Sequence, residues 1–485
     1  MRIRFANWQP DLQGLTNPGQ QDIKNVIPVG GGGYSPVKGL TQISTTGLDG
    51  ACIGAFAAQD ITGTTNSFAG DNTKLYKLSA GVYSNVSLAG NYTVSGTERW
   101  EFLQFGQNVI ATQIGAAPQT YTLNSSSLFA NLGGSPPQAR HIAGVRDFVV
   151  LGNTTTSPNQ VAWSGFNNSA QWTAGSNQSD TQTLQDGGWI QRITGGQVGW
   201  IFQERDITRM TYVGPPAIFQ FDTIEDAPGL LASGALARIG DDHYYYSQRG
   251  FYHFINGQFE PIGYGKVDSW FANYLQPGTS SLITAAADPV NKVVAFSFVS
   301  TDATDATKPD TILYYNPQSI EFTYAKIIHE LVYPALSEGY TLETLSAAYP
   351  NLETVPVSLD SRQWTGGSLY FGAFNTSHQL ASFSGSNLAA LMESSDQELV
   401  PGKRSIITDV EPFCDTSAAT VIVRSRERFA DTTVDTTAAA MQANGHCPLL
   451  SSEGRWHRIQ LDIPAATTWT YATGLSVDAQ GAGEL

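Results

Sequence analysis

The side chains best suited to metal binding or nucleophilic and acid–base chemistry are seven histidines (His141, His243, His253, His329, His378, His446 and His457), three cysteines (Cys52, Cys414 and Cys447) and scattered carboxylates. No two histidines have His-x-x-x-His spacing and no two cysteines have Cys-x-x-Cys spacing, so metal-ligand patterns are missing. His243 and His253 fall in one predicted hairpin, roughly opposite each other. They read either as a ligand pair or, more simply, as two histidines satisfied within a sheet. No Gly-x-Ser-x-Gly nucleophile elbow occurs. Asp241-Asp242, Asp302, Asp305 and Asp310 lie in turns or loops, where turn chemistry and solvent account for them. A glycosidase needs two carboxylates across a cleft, but the chain lacks the sialidase-type Asp-box Ser-x-Asp-x-Gly-x-x-Trp. The sequence therefore predicts no catalytic residue, no metal and no cofactor. Trp163, Trp172, Trp189 and Trp200 offer stacking surfaces for sugars; the ordinary role of such residues is to fill a β core.

The run Val29-Gly-Gly-Gly-Gly-Tyr34-Ser-Pro36 invites a phosphate-loop reading. No Lys-Ser/Thr follows it and no helix begins there, so a turn or an arm packed along another chain is the better expectation. An odd number of widely spread cysteines does not form a disulfide framework. The net charge of −16 opposes a conventional nucleic-acid surface, which must bring Lys and Arg to phosphates, and favours solubility. The N-terminal MRIRFANWQPDLQG has no apolar core of a secretory signal, and no apolar run is long enough to span a membrane.

The elements that would position these residues are strands. Only 14% of the 485 residues are charged, while 48 are glycine and aromatics are plentiful, which is a turn-rich, β-rich composition. In Trp189–Gly263 the period-two signal is clearest. Val198, Trp200 and Phe202 share a face, and so do Tyr244 and Tyr246. Asn256-Gly257 is a two-residue hairpin turn, because both central residues of a type I′ turn need positive φ. Similar units recur from about residue 46 to 386 at a spacing of about 35–50 residues, the period of four-stranded propeller blades. The expected fold is therefore all-β: residues 1–45 an N-terminal arm with the Gly-rich loop, 46–386 a β-propeller of six or seven blades, and 387–485 a small β-sandwich-like domain. Two segments interrupt the strand pattern and are expected to be short helices, Glu225–Arg238 and Lys266–Leu275. The second places Val267, Trp270, Phe271 and Tyr274 at amphipathic spacing. It should cover one rim of the propeller, with Trp270, Phe271 and Tyr274 as candidate partner contacts.

Four stretches, in this order, resemble the packaged-DNA stabilisation or tail-hub (nozzle-type) proteins of short-tailed bacteriophages. They are Asn25-Val-Ile-Pro28 with Gly33-Tyr34-Ser-Pro36; His141–Asp147 leading to Ala162-Trp163-Ser164; Asp242–Asn256; and Gly454–Arg458 with Ile463-Pro464 and Trp469–Gly474. Each motif alone is loose; their order over nearly the whole chain carries the resemblance, and the loop Thr301–Asp310 departs from it as an insertion. The resemblance implies a structural virion protein and not an enzyme. Such a protein forms a homohexameric ring on the tail axis below the portal and its adaptor. It extends the DNA channel, helps retain the genome until ejection, and has no membrane association. Six copies of a −16 chain would carry about −96, so such a ring should let DNA slide without binding it specifically. The alternative expectation, from the same fold, is a carbohydrate-binding or carbohydrate-cleaving propeller.

Overall fold

The computed structural model describes the chain except residues 6, 13–16, 31, 89, 340–341, 349, 352, 354–365 and 483–485. Among the described residues, seven four-stranded antiparallel sheets follow one another along the sequence, and they form the predicted β-propeller. The blades begin with the strands Gly54–Gln59, Glu101–Phe105, Ala139–Val145, Ile190–Thr194, Leu236–Ile239, Thr284–Asp288 and Leu331–Leu336. Most of these first strands neighbour the next in turn, and that of blade seven (Leu331–Leu336) also neighbours that of blade one (Gly54–Gln59), so the ring closes. Turn chemistry sets the register. In blade five, Gly250–Ile255 pairs with Gln258–Pro261 around Asn256 at φ 50° and Gly257 at φ 85°, the type I′ geometry read from the sequence. At Gly195 the blades approach closely: a Cβ there would sit 2.0 Å from the Gly144 carbonyl oxygen of the preceding blade.

Blade seven is completed by the strand Thr41–Gln42, which pairs with Leu380–Ser382 through Ala381↔Gln42 and Ser382↔Thr41. The outer strand of the last blade thus comes from a segment that precedes the first blade. This arrangement joins the two ends of the propeller with backbone hydrogen bonds.

The C-terminal region forms two six-stranded sheets, and the N-terminal residues are part of both. Gln20–Lys24 pairs with Ala390–Ser394. Arg2–Arg4 pairs with Ala472–Gly481, and the hairpin Val26–Val29/Gly33–Pro36 joins the same sheet through Tyr34↔Ala472. The arm and Gly-rich loop expected over 1–45 instead supply sandwich strands and the propeller's closing strand. Strands of two to five residues are too short to show a period. Apart from the pairing within the hairpin Val26–Val29/Gly33–Pro36, their partners lie hundreds of residues away, which a local pattern does not encode. Asn25, at φ 60°, fastens the junction. Its backbone N–H donates to the Tyr324 carbonyl at 2.8 Å. Its side chain accepts from the Lys326 N–H at 2.8 Å and donates to the Ala389 carbonyl at 2.7 Å. Asn25 thus bonds at once to blade six and to the start of the sandwich.

Of the two expected helices, one forms. Asp268–Tyr274 is helical. Glu225–Arg238 is not: it runs as turn and loop into the strand Leu236–Ile239. Pro228, Gly229 and Gly234 disfavour a helix there. The backbone of this segment is used by neighbouring strands, with Leu230 N–H on the Gln203 carbonyl and Leu231 N–H on the Tyr246 carbonyl. Trp8, 1% exposed, lies edge-on to Trp270 at 4.7 Å and 5.1 Å from Tyr324. It joins the N-terminal segment to the helix and to blade six. Trp8→Ala should lower stability to urea by about 3–5 kcal/mol, the cost of truncating a buried tryptophan. A loss below about 0.5 kcal/mol, the level of a surface substitution, would mean that this segment does not dock.

Candidate binding site in the propeller channel

The first strands of all seven blades line two adjoining cavities along the propeller axis, of about 540 and 410 Å³. They share Arg192, Leu236, Ala285 and Pro334, so they are parts of one channel. Its walls are mostly Ala, Gly and aliphatic side chains. The arginines and the acid among the lining residues are Arg99, Glu101, Arg192 and Arg238. Arg238 is neutralised at the rim by Asp241 at 3.2 Å.

Glu101 is the centre of a network that crosses three blades. It accepts from Arg192 Nη1 at 2.9 Å, from the Ile142 N–H at 3.2 Å, and meets His141 Nδ1 at 2.8 Å. On its other side His141 Nε2 lies 3.1 Å from the Ile190 carbonyl, to which Asn153 also donates at 2.8 Å. Arg140 extends the network to Asn153 at 2.7 Å and to Glu98. Burial would raise the Glu101 pKa, but Arg192 and His141 outweigh it and hold the carboxyl below its usual 4.5. Every buried polar group in this network has a partner, so it couples blades two, three and four and fixes the channel wall.

The residues singled out from the sequence lie elsewhere and do not converge. His243 and His253 are not a pair: the register is His243↔Phe254 and Tyr244↔His253, so strand alternation sends their side chains to opposite faces. His243 is buried with Nε2 2.9 Å from Thr194 Oγ1, while His253 meets Asp242 at 2.5 Å. His329 is buried between Ser297 Oγ and the Ile327 carbonyl, and His457 between Ser405 and Ser425. His378 and His446 pair with Glu330 and Asp409. Among the described residues no group of three His, Cys, Asp or Glu could hold a metal ion, and the three cysteines are free thiols. The acidic loop is internally bonded: Asp310 accepts from Ser300, Asp305 from Thr307, and Lys326 reaches both Asp302 and Asp310. Trp163 and Trp200 are core residues; Trp189 is 52% exposed.

The helix proposed for partner contact turns its apolar face inward. Phe271 is fully buried against Tyr246, Phe251 and Phe298. Trp270 is covered by Trp8, and the Tyr274 hydroxyl donates to Asp302 at 2.5 Å. Asp11 accepts from the N–H groups of Ser269 and Trp270 at 2.8 and 2.7 Å, closing the helix start. Amphipathic spacing was correctly read; the covering element is the chain's own N-terminal segment. Conversely, Arg99, Glu101 and Arg192 were not picked out. The only local signal was charge at the beginning of a strand, and nothing in the sequence says that positions 101 and 192 meet.

No family model matches the chain, and no curated protein matches it either. Among solved structures it is similar to the extracellular domain assigned to a hybrid two-component system of B. thetaiotaomicron, at 11% identity and TM-score 0.44, covering 79% of this chain and 44% of that one. A second extracellular-domain structure from that organism, assigned to a one-component system, gives 10% identity and TM-score 0.42 over 79% and 46%. The Neurospora crassa Pan2 WD40 domain gives 9% identity and TM-score 0.39 over 71% and 95%. The chain spans less than half the length of the first two.

Two pH and mutation effects follow from the buried groups. Burial lowers the pKa of His243 and of His329 to about 4. Unfolding lets both take up protons below about pH 6.5, so stability should fall as pH drops from 6.5 towards 4; urea midpoints at pH 7.5 and 5 test this. Glu101→Gln should cost about 3 kcal/mol at neutral pH, since it leaves Arg192 and His141 without their carboxylate. Because the Glu101 pKa is depressed on folding, this difference should be complete above about pH 4.5 and shrink as pH falls below it.

Proposed function

We propose that this chain is a structural subunit of a short-tailed bacteriophage tail, a hub or nozzle protein that assembles as a ring below the portal and adaptor. There it extends the DNA channel and helps retain packaged DNA until ejection. The reading rests on the ordered resemblance of four stretches to the tail-hub proteins. The observation that carries it furthest is where the outer two lie. Gly33–Pro36 from the first stretch and Ala472–Gly474 from the fourth come from opposite ends of the sequence, and they meet in one sheet through Tyr34↔Ala472. Asn25, also in the first stretch, bonds to Tyr324 and Lys326 of blade six and to Ala389 at the start of the sandwich. The two outer stretches thus belong to one sheet of the sandwich, and Asn25 ties that sandwich to the propeller, which would orient the two parts of each subunit in a ring of copies.

The acidic net charge is consistent with a conduit that DNA traverses without sticking. The test is native mass measurement and negative-stain imaging of the chain with its portal–adaptor complex. The expected result is a ring, six subunits by the resemblance, on the tail axis. A chain that stays monomeric beside that complex and binds glycans on an array would replace this reading with the carbohydrate-binding one.

A further inference from the structure

Arg99 sits at the edge of the channel just before the first strand of blade two, lining the same cavity as Arg192. Its side chain reaches across to the segment before blade six, where Nη2 donates to the Ser281 carbonyl at 2.9 Å. A guanidinium has five N–H donors, and this is the one hydrogen bond it makes among the described residues. Arg192, by contrast, is matched by Glu101. Burial, followed by the nearby Arg192 charge, lowers the Arg99 pKa to about 10 against the opposing attraction of Glu101, so it remains a cation at neutral pH, half-buried in the channel wall and with no carboxylate in ion-pair contact among the described residues. Around it are Ala55, Phe102, Leu236, Leu331 and Leu336. A cavity of this size, apolar with a few convergent polar groups, is typical of a small-ligand site.

We propose that the propeller channel binds a small organic monocarboxylate, whose carboxylate is held by Arg99 with Arg192 beside it and whose apolar body lies against the aliphatic wall. The fork of Arg99 matches a carboxylate in two-point geometry. The charge balance selects a monoanion: after Glu101 has matched Arg192 one positive charge is left, and the Glu101 carboxylate opposes a dianion such as phosphate. This site is independent of the tail-hub reading, since it needs only one subunit.

Titration calorimetry of the full-length chain with benzoate, benzamide, glucuronate, glucose and inorganic phosphate tests the proposal. Benzoate should bind with a Kd of about 1 mM or tighter and benzamide at least tenfold more weakly. Glucuronate should likewise bind more tightly than glucose, which lacks the carboxylate. Arg99→Met should weaken carboxylate binding at least tenfold while keeping the fold, because it removes a half-buried charge; exposed Arg209→Ala should leave binding unchanged. If the Arg99→Met chain does not fold, the carboxylate-over-amide preference of the natural chain decides. No carboxylate binding up to about 10 mM, equal binding of benzoate and benzamide, undiminished binding by a folded Arg99→Met chain, or tighter binding of phosphate than of any carboxylate would each overturn the proposal.

Discussion

A propeller is a ring of sheets, and a ring must be closed. Each blade buries its faces against its neighbours, so an unclosed ring would leave an apolar face exposed between the first and last blades. In this chain blades seven and one pack through a shared apolar cluster, and the strand that completes blade seven is only two residues long, Thr41–Gln42. It does not act alone. The residues just before it are built into both sheets of the sandwich, and Asn25 is bonded at once to blade six and to the start of the sandwich. The closing strand is therefore positioned by a rigid body behind it. This explains how so few ladder bonds are sufficient.

The same closure arranges the polar interior. With seven first strands held around one axis, residues from non-adjacent blades become neighbours, as with Glu101 of blade two and Arg192 of blade four. An acidic protein thereby carries a locally cationic channel. Net charge and local charge have different consequences: the first governs repulsion and solubility, the second what can settle inside. Neither implies the other.

How far the sequence disclosed this architecture depended on how local each signal was. Asn256-Gly257 announced its hairpin because the requirement for positive φ is a property of two adjacent residues. The aromatic strands of blades four and five were legible by period two. The helix Asp268–Tyr274 was legible by its amphipathic face, but the identity of what covers that face, Trp8, was not. The N-terminal strands were invisible because they are short and, the local hairpin Val26–Val29/Gly33–Pro36 aside, pair at long range. Glu225–Arg238 misled through its leucines and alanines; its fate was decided by carbonyls of strands beside it. The channel network was the least legible part, since it exists only once blades have been set at their angles.

Because residues early in the sequence are placed by residues late in it, the order in which this chain is made opposes the order in which it can be finished. Arg2–Arg4 and Tyr34 are made long before their partner strand, Ala472–Gly481. Blades one to six can form as local antiparallel units while synthesis proceeds, whereas the N-terminal segment must wait with its strand edges unpaired. A chain cut before Ala472 would thus leave Arg2–Arg4 and Tyr34 without the strand that holds them, so damage late in the sequence is felt early in it.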